Sequence, residues 1–147
     1  MATLTRSITI QAPVTTVFDI ASDIGELWHA KDVALADIDI KPDGVGTSAR
    51  IFSHAFGFHI EGGVEYIEVV PNERIVAQVH FFAEKPTWTF LFEKVNHATT
   101  VTAVGEWALK MPVVGRPIER MMVKEHEPFL EGILEHLKSQ AEARVPA

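Results

Sequence analysis

Between Val33 and Leu109, turn-forming residues recur about every dozen positions, and this rhythm constrains the fold more tightly than any other feature of the chain. The signals are Pro42-Asp43-Gly44, Phe56-Gly57, Pro71-Asn72, Lys85-Pro86 and Asn96-His97. Gly, Pro and Asn mark turns because they adopt, or are fixed in, backbone angles that other residues resist. The stretches between them are rich in Ile, Val, Phe, Thr and Trp, which suit a pleated, half-buried surface. A parallel pair of strands needs a long crossover, usually a helix, and no interval here has room for one. The segment therefore reads as an antiparallel meander of about six strands.

The flanks read differently. Ser7-Ile8-Thr9-Ile10 alternates as a strand. Pro13 sits where a first helical turn accepts it, since the N–H it lacks is not needed there, and Val14, Val17, Phe18 and Ala21 follow at helical spacing. Gly25 is expected to break this helix, with Glu26-Leu27-Trp28-His29 forming a second short turn. After Pro112 the pattern is helical again, entered at Gly115 and Pro117. Ile118, Met122, Phe129, Leu130, Ile133, Leu134, Leu137 and Ala141 share one broad face of a long C-terminal helix. Pro128 lies inside it, and a kink or break is expected near Lys124. Arg144-Val145-Pro146-Ala147 is expected to fray. The fold class is α+β, with a curved seven-stranded antiparallel sheet around the C-terminal helix and two short helices after the first strand. One face of such a sheet has to be buried beneath the helices. Either side chains or a ligand can fill the space between.

Composition narrows the function. At 147 residues, positions 1–147 read as one domain with a real core, and a 47% hydrophobic content argues against disorder. The net charge of −7 disfavours nucleic acid and anionic membrane surfaces, both of which attract basic proteins. No apolar run is long enough for stable membrane insertion, and the first residues show no secretory signal. The absence of cysteine removes disulfides, thiolate metal sites and cysteine nucleophiles, and fits a cytoplasmic location.

The order of elements resembles the Bet v 1-like, START-related superfamily, often called SRPBCC. Ile8-Thr9-Ile10-Gln11-Ala12-Pro13-Val14-Thr15-Thr16-Val17-Phe18 looks like its opening strand, Ala-Pro step and first helix, and Asp23 to Trp28 like its second helix. Gly44-Val45-Gly46-Thr47 matches the entry to the third strand, and Val69-Val70-Pro71-Asn72-Glu73-Arg74-Ile75 the Pro-x-x-Arg hairpin. Trp88-Thr89-Phe90-Leu91-Phe92-Glu93 with Thr99-Thr100-Val101-Thr102 resembles the last strand pair, and Leu130 to Lys138 the closing helix. The likeness covers nearly the whole chain and is specific for a fold, the helix grip, rather than for a function. It implies a cavity between sheet and helix and a small hydrophobic ligand, lipid-like, polyketide or aromatic. The superfamily spans polyketide cyclases and dehydratases, lipid and hormone binders, quinone-binding proteins and ring-hydroxylase subunits.

Strand alternation nominates the inner wall. Ile60, Val64 and Tyr66 share one face of the fourth strand; Ile75, Ala77, Val79 and Phe81 line the fifth. Trp88, Phe90 and Phe92 follow in the sixth, and Val101, Ala103 and Trp107 in the seventh. With Met122, His126 and Phe129 from the helix, these are the candidate ligand contacts. A packed core explains each apolar one equally well. Tyr66 and the indole N–H groups of Trp88 and Trp107 are the polar groups such a wall would offer, and each needs a partner when buried. His126 stands in an apolar stripe with Met122 and Leu130 one turn away on either side, and Glu125 flanks it. A histidine bonded to a backbone carbonyl, or lying at a pocket mouth, accounts for it more readily than an acid–base role. The candidate catalytic residues are His126, Glu125 and Tyr66.

Other chemistries find little support. His54 and His59 are separated by a turn, His29 and His97 read as surface positions, His80 faces away from the wall, and no His-Glu-x-x-His pattern occurs. No metal or other cofactor is expected. There is no Gly-x-Ser-x-Gly elbow, and Gly44-Val45-Gly46 precedes a strand rather than a helix that could hold phosphate. Three functions remain: a binder of a small hydrophobic ligand, a polyketide cyclase-like enzyme, and a non-catalytic interaction module, such as a homodimer, whose pocket is filled by Trp88, Phe90, Phe92 and Trp107.

Overall fold

Each turn signal that can be followed returns the chain antiparallel to the strand before it. The computed structural model describes residues 2–30, 33–55, 58–80, 85–107 and 115–145, and their side chains except at 2, 54, 55, 58, 60, 107 and 115–126. Along the chain lie β1 (Ala2–Ile10), α1 (Val14–Ser22), α2 (Ile24–Leu27), β2 (Ala34–Asp39), β3 (Ser48–Ala55), β4 (Phe58–Val70), β5 (Arg74–His80), β6 (Thr87–Val95), β7 (Ala98–Trp107) and α3 (Gly115–Ala143). The seven strands form one antiparallel sheet in the order β1-β7-β6-β5-β4-β3-β2. This is the helix-grip fold. Asn72 and Asn96 turn the β4–β5 and β6–β7 hairpins at positive φ, 61° and 56°, angles that Asn tolerates better than other side chains. The signal at Phe56-Gly57 lies outside the described residues.

β1 and β2 are consecutive strands at opposite edges of the sheet. The chain between them must cross the sheet's full width, and α1 and α2 carry it across one face. α1 touches β6 and β7, and α2 touches β2 and β3. The break between these helices falls at Asp23, not at Gly25. Asp23 is extended (φ −82°, ψ 108°), and its carboxylate accepts from the Gly25 amide at 3.0 Å, capping α2. Gly25 thus sits in the first turn of α2. Pro13 precedes α1 as its cap residue, and its carbonyl accepts the Val17 amide.

Burial alternates along the strands as a one-sided sheet demands. Leu4 and Ile10 of β1, Ala49 and Ile51 of β3, Val64 and Tyr66 of β4, Ile75, Ala77 and Val79 of β5, Trp88, Phe90 and Phe92 of β6, and Val101 and Ala103 of β7 are all buried. α3 covers part of this face with Leu130, Ile133, Leu134, Leu137 and Ala141, which recur every third or fourth residue. It runs unbroken through Pro128, so of the kink or break expected near Lys124 the break does not occur. Its last turns are tied to the first strand: Glu142 accepts from Lys138 Nζ at 2.5 Å and from the Gln11 amide at 2.8 Å, contacts that hold its carboxyl below the usual value. Farther up, Arg6 pairs with Glu127 at 2.9 Å. The helix ends in turns, with Arg144 and Val145 exposed. No helix among the described residues is long and apolar enough to cross a membrane.

Three glycines are required, two by their backbone angles and one by close approach. In the Gly44-Val45-Gly46 turn both glycines have positive φ, 85° and 89°, and the Gly46 amide bonds to the Tyr66 carbonyl at 2.8 Å. These residues shape a strand entry. Gly105 lies directly opposite Trp88 across β6 and β7, and a Cβ there would sit 2.5 Å from the indole ring. Because Trp88 is buried and its ring rigid, Gly105→Ala is expected to destabilise the protein by about 1–3 kcal/mol. Gly63→Ala is the control: its Cβ would meet nothing nearer than the Ala49 carbonyl oxygen at 3.8 Å, so its effect should stay within about 0.5 kcal/mol. Urea unfolding of the two variants checks the contrast.

Candidate functional site

The inner wall is built mainly by three neighbouring strands, β4, β5 and β6. Val64, Tyr66, Val79, Trp88, Phe90 and Phe92 are buried there, as alternation predicts. A bulge in the β4–β5 ladder between Tyr66 and Glu68 leaves Ile67 exposed while Tyr66 points inward. Phe129 of α3 is half-buried and packs against the same core. Phe81 lies outside the described residues, as do the side chains of Ile60, Trp107, Met122, Glu125 and His126.

Tyr66 is the buried polar group of the wall, and its proton is already committed. The hydroxyl donates to the Ala21 carbonyl at 2.8 Å, tying the centre of the sheet to the last turn of α1. Burial pushes its pKa well above the ordinary tyrosine value, with nearby Asp23 adding to the rise. The Trp28 indole faces the hydroxyl and opposes that rise, although it falls short of a hydrogen bond. A neutral phenol bound to a backbone carbonyl is a poor general base and an occupied donor. Of the candidate acid–base groups, only His126 and Glu125 are therefore left to a catalytic reading.

Trp28 is a member of this site that the strand pattern does not reveal. It follows α2, where it is 2% exposed, and its ring meets Phe90 edge-on at 6.1 Å and Phe129 at 6.0 Å. One indole thus joins the α2 end, the sheet and α3. Phe18 of α1 similarly meets Phe92 edge-on at 5.3 Å. Edge-to-face pairs of this kind add about 0.5–1.5 kcal/mol to the burial they accompany. A tryptophan at the end of an apolar helical turn was the only available sign, since its ring has to be buried somewhere.

Beside Trp28 lies a polar cluster. The His29 ring stacks on His136 of α3, centroids 3.9 Å apart and planes 14° from parallel, and His136 Nε2 is 3.3 Å from the Glu26 carboxylate. His29 is exposed, as expected, but not isolated. His80 and His97 are also exposed. Among the described residues no group of His, Asp and Glu is arranged to hold a metal ion.

Comparison with known proteins agrees with this architecture. A family model described as polyketide cyclase / dehydrase and lipid transport matches residues 1–142. A protein from Thermus thermophilus superposes with a TM-score of 0.71 at 21% identity, over 93% of this chain and 97% of its own. A START superfamily protein from Mycobacterium smegmatis superposes with a TM-score of 0.69 at 15% identity, covering 99% and 100%. Ara h 8.0201 is similar with a TM-score of 0.64 at 12% identity, covering 93% and 97%. At these identities the structures share the fold alone. No curated protein matches in sequence.

Tyr66 is the chain's one tyrosine, so its ionisation can be read directly. Its raised folded pKa means that above about pH 10 the unfolded chain releases a proton the folded chain keeps, so stability falls as pH rises from there. Absorbance near 295 nm should show no tyrosinate until the fold opens. Tyr66→Phe should remove that alkaline loss, while costing about 1–3 kcal/mol at neutral pH by leaving the Ala21 carbonyl unpaired.

Proposed function

The chain belongs to the polyketide cyclase / dehydrase and lipid-transport family within the SRPBCC superfamily, and on that basis we propose that it holds a small, largely apolar ligand between the sheet and α3. The observation that carries this reading is the inner wall: a continuous set of apolar and aromatic side chains from Val64 to Phe92, whose one described ionisable member, Tyr66, is bonded to backbone. Sites for small organic molecules have this character, apolar with a few placed polar groups. Ile60, Phe81, Trp107, Met122, His126 and Phe129 belong to the same proposed contact set. Burying about 300 Å² of ligand apolar surface would contribute roughly 7 kcal/mol before the costs of association, so micromolar or weaker binding needs no catalytic machinery.

The family description also names cyclases and dehydrases, which supports a second reading. Aldol-type cyclisation needs a positioned acid–base group, and with Tyr66 engaged, His126 and Glu125 must supply it. The two readings diverge on one substitution. A cyclase turns over a polyketide-like substrate and loses that turnover in His126→Ala while retaining its fold; a binder shows no turnover in wild type, and the substitution changes only its affinity.

The binding reading is tested on the whole protein. Solvent extraction of natively purified protein should release a small molecule at about one per chain. If none is retained, a neutral apolar probe such as 2-ethylnaphthalene should raise the melting temperature in proportion to the logarithm of its concentration above Kd. No extractable molecule and no probe-induced shift would contradict the proposal.

A further inference from the structure

We infer that the stacked His29–His136 pair is a proton-sensitive clasp that holds the chain leaving α2 onto α3, closed while the pair carries at most one proton and opened by acid. Three contacts make this seam. Trp28 meets Phe129 with ring centroids 6.0 Å apart, the Ala30 Cβ lies 3.6 Å from where a Cβ on Gly132 would stand, and His29 stacks on His136 at 3.9 Å. Phe129, Gly132 and His136 follow one another at three- and four-residue steps, so they form one stripe on α3. The first two contacts are apolar and indifferent to pH. The third is made of side chains whose charge ordinarily changes between pH 5 and 8.

Geometry separates the first proton from the second. A proton on His136 is favoured, because Nε2 lies 3.3 Å from the Glu26 carboxylate and the contact becomes an ion pair between α2 and α3. A proton on His29 as well sets two like charges face to face at 3.9 Å. The planes are 14° from parallel, so no ring N–H points at the other ring to offset the repulsion. The His136 side chain is only 19% exposed, which limits screening by water, whereas His29 is exposed and can swing outward. The neighbouring elements bring no second carboxylate into contact with the pair among the described residues. Asp19 of α1 is exposed, Asp37 and Asp39 of β2 pair with Arg50 of β3 and with Lys41, and on α3 Lys138 bonds Glu142 while Glu131 and Glu135 are exposed. One Glu26 charge faces two potential protons. The open form therefore takes the second proton more readily, and the balance moves toward it as pH falls below the ordinary imidazole range, about pH 6.5. Trp28 and Phe129 also border the proposed interior site, so acid should weaken what that site holds; this consequence rests on the interior-ligand reading above.

NOEs between the Trp28 indole and the Phe129 ring, measured without ligand, read the clasp directly. In wild type they should be strong at about pH 7.5 and lose about half their intensity or more at about pH 5.5. His29→Phe keeps a stacked ring but removes the second charge, so its NOEs should be the same at both values. Glu26→Gln removes the facing carboxylate and should raise the pH at which the NOEs are lost. Wild-type NOEs indifferent to pH, a His29→Phe protein as acid-sensitive as wild type, or a Glu26→Gln midpoint that stays or falls would overturn the inference. Calorimetry with 2-ethylnaphthalene reads the consequence for the site: over the same range its affinity should fall about 3- to 10-fold more in wild type than in His29→Phe. Equal falls in the two proteins would overturn the clasp's control of the site. If the probe binds at neither pH, the interior-ligand reading falls, and the NOEs alone decide the clasp.

Discussion

The structure depends on one constraint: a seven-stranded sheet that is apolar on a single face has to be covered along that face. The strands supply aromatic and β-branched residues at every second position, and only α3 is long enough to shield much of what they present. Its apolar stripe from Leu130 to Ala141 meets β1 and α1. The Glu142 contacts with Lys138 and Gln11 and the Arg6–Glu127 pair act at the exposed margin, where such interactions are weak but directional. The helix grip is therefore held chiefly by burial, with polar contacts setting its register.

Edge placement gives the short helices their role. β1 closes the sheet against β7 while β2 lies at the far edge, so α1 and α2 must bridge the inner face. That path brings the Ala21 carbonyl over the sheet's centre, where Tyr66 donates to it, and delivers Trp28 between Phe90 and Phe129. The proposed site follows from this route. Its aromatic walls come from the meander, and Trp28 comes from the connection that the meander's edges require.

Much of this was legible in the sequence. Turn spacing revealed the six-strand meander, and alternation identified Val64, Tyr66, Val79, Trp88, Phe90 and Phe92 as inward-facing, because a period of two leaves little freedom once one face is apolar. What escaped depends on residues far apart in the chain. The Tyr66–Ala21 bond spans 45 positions, and nothing local to either residue announces it. Gly105 is needed only because Trp88 comes to lie over it. The helix break was misplaced at Gly25 because a glycine is a stronger local signal than an aspartate, yet Asp23 both ends α1 and caps α2. Pro128 was expected to kink or break α3, and the helix continues through it without a break.

The central claim is that the interior face, rather than the surface, is where a small molecule binds. Intermolecular NOEs between 2-ethylnaphthalene and the protein's methyl groups test it directly. The account predicts NOEs to Val64 and Val79 of the sheet and Ile133 of α3, all of them buried. NOEs confined to the exposed side chains Ile38, Ile40 and Ile67 would contradict it.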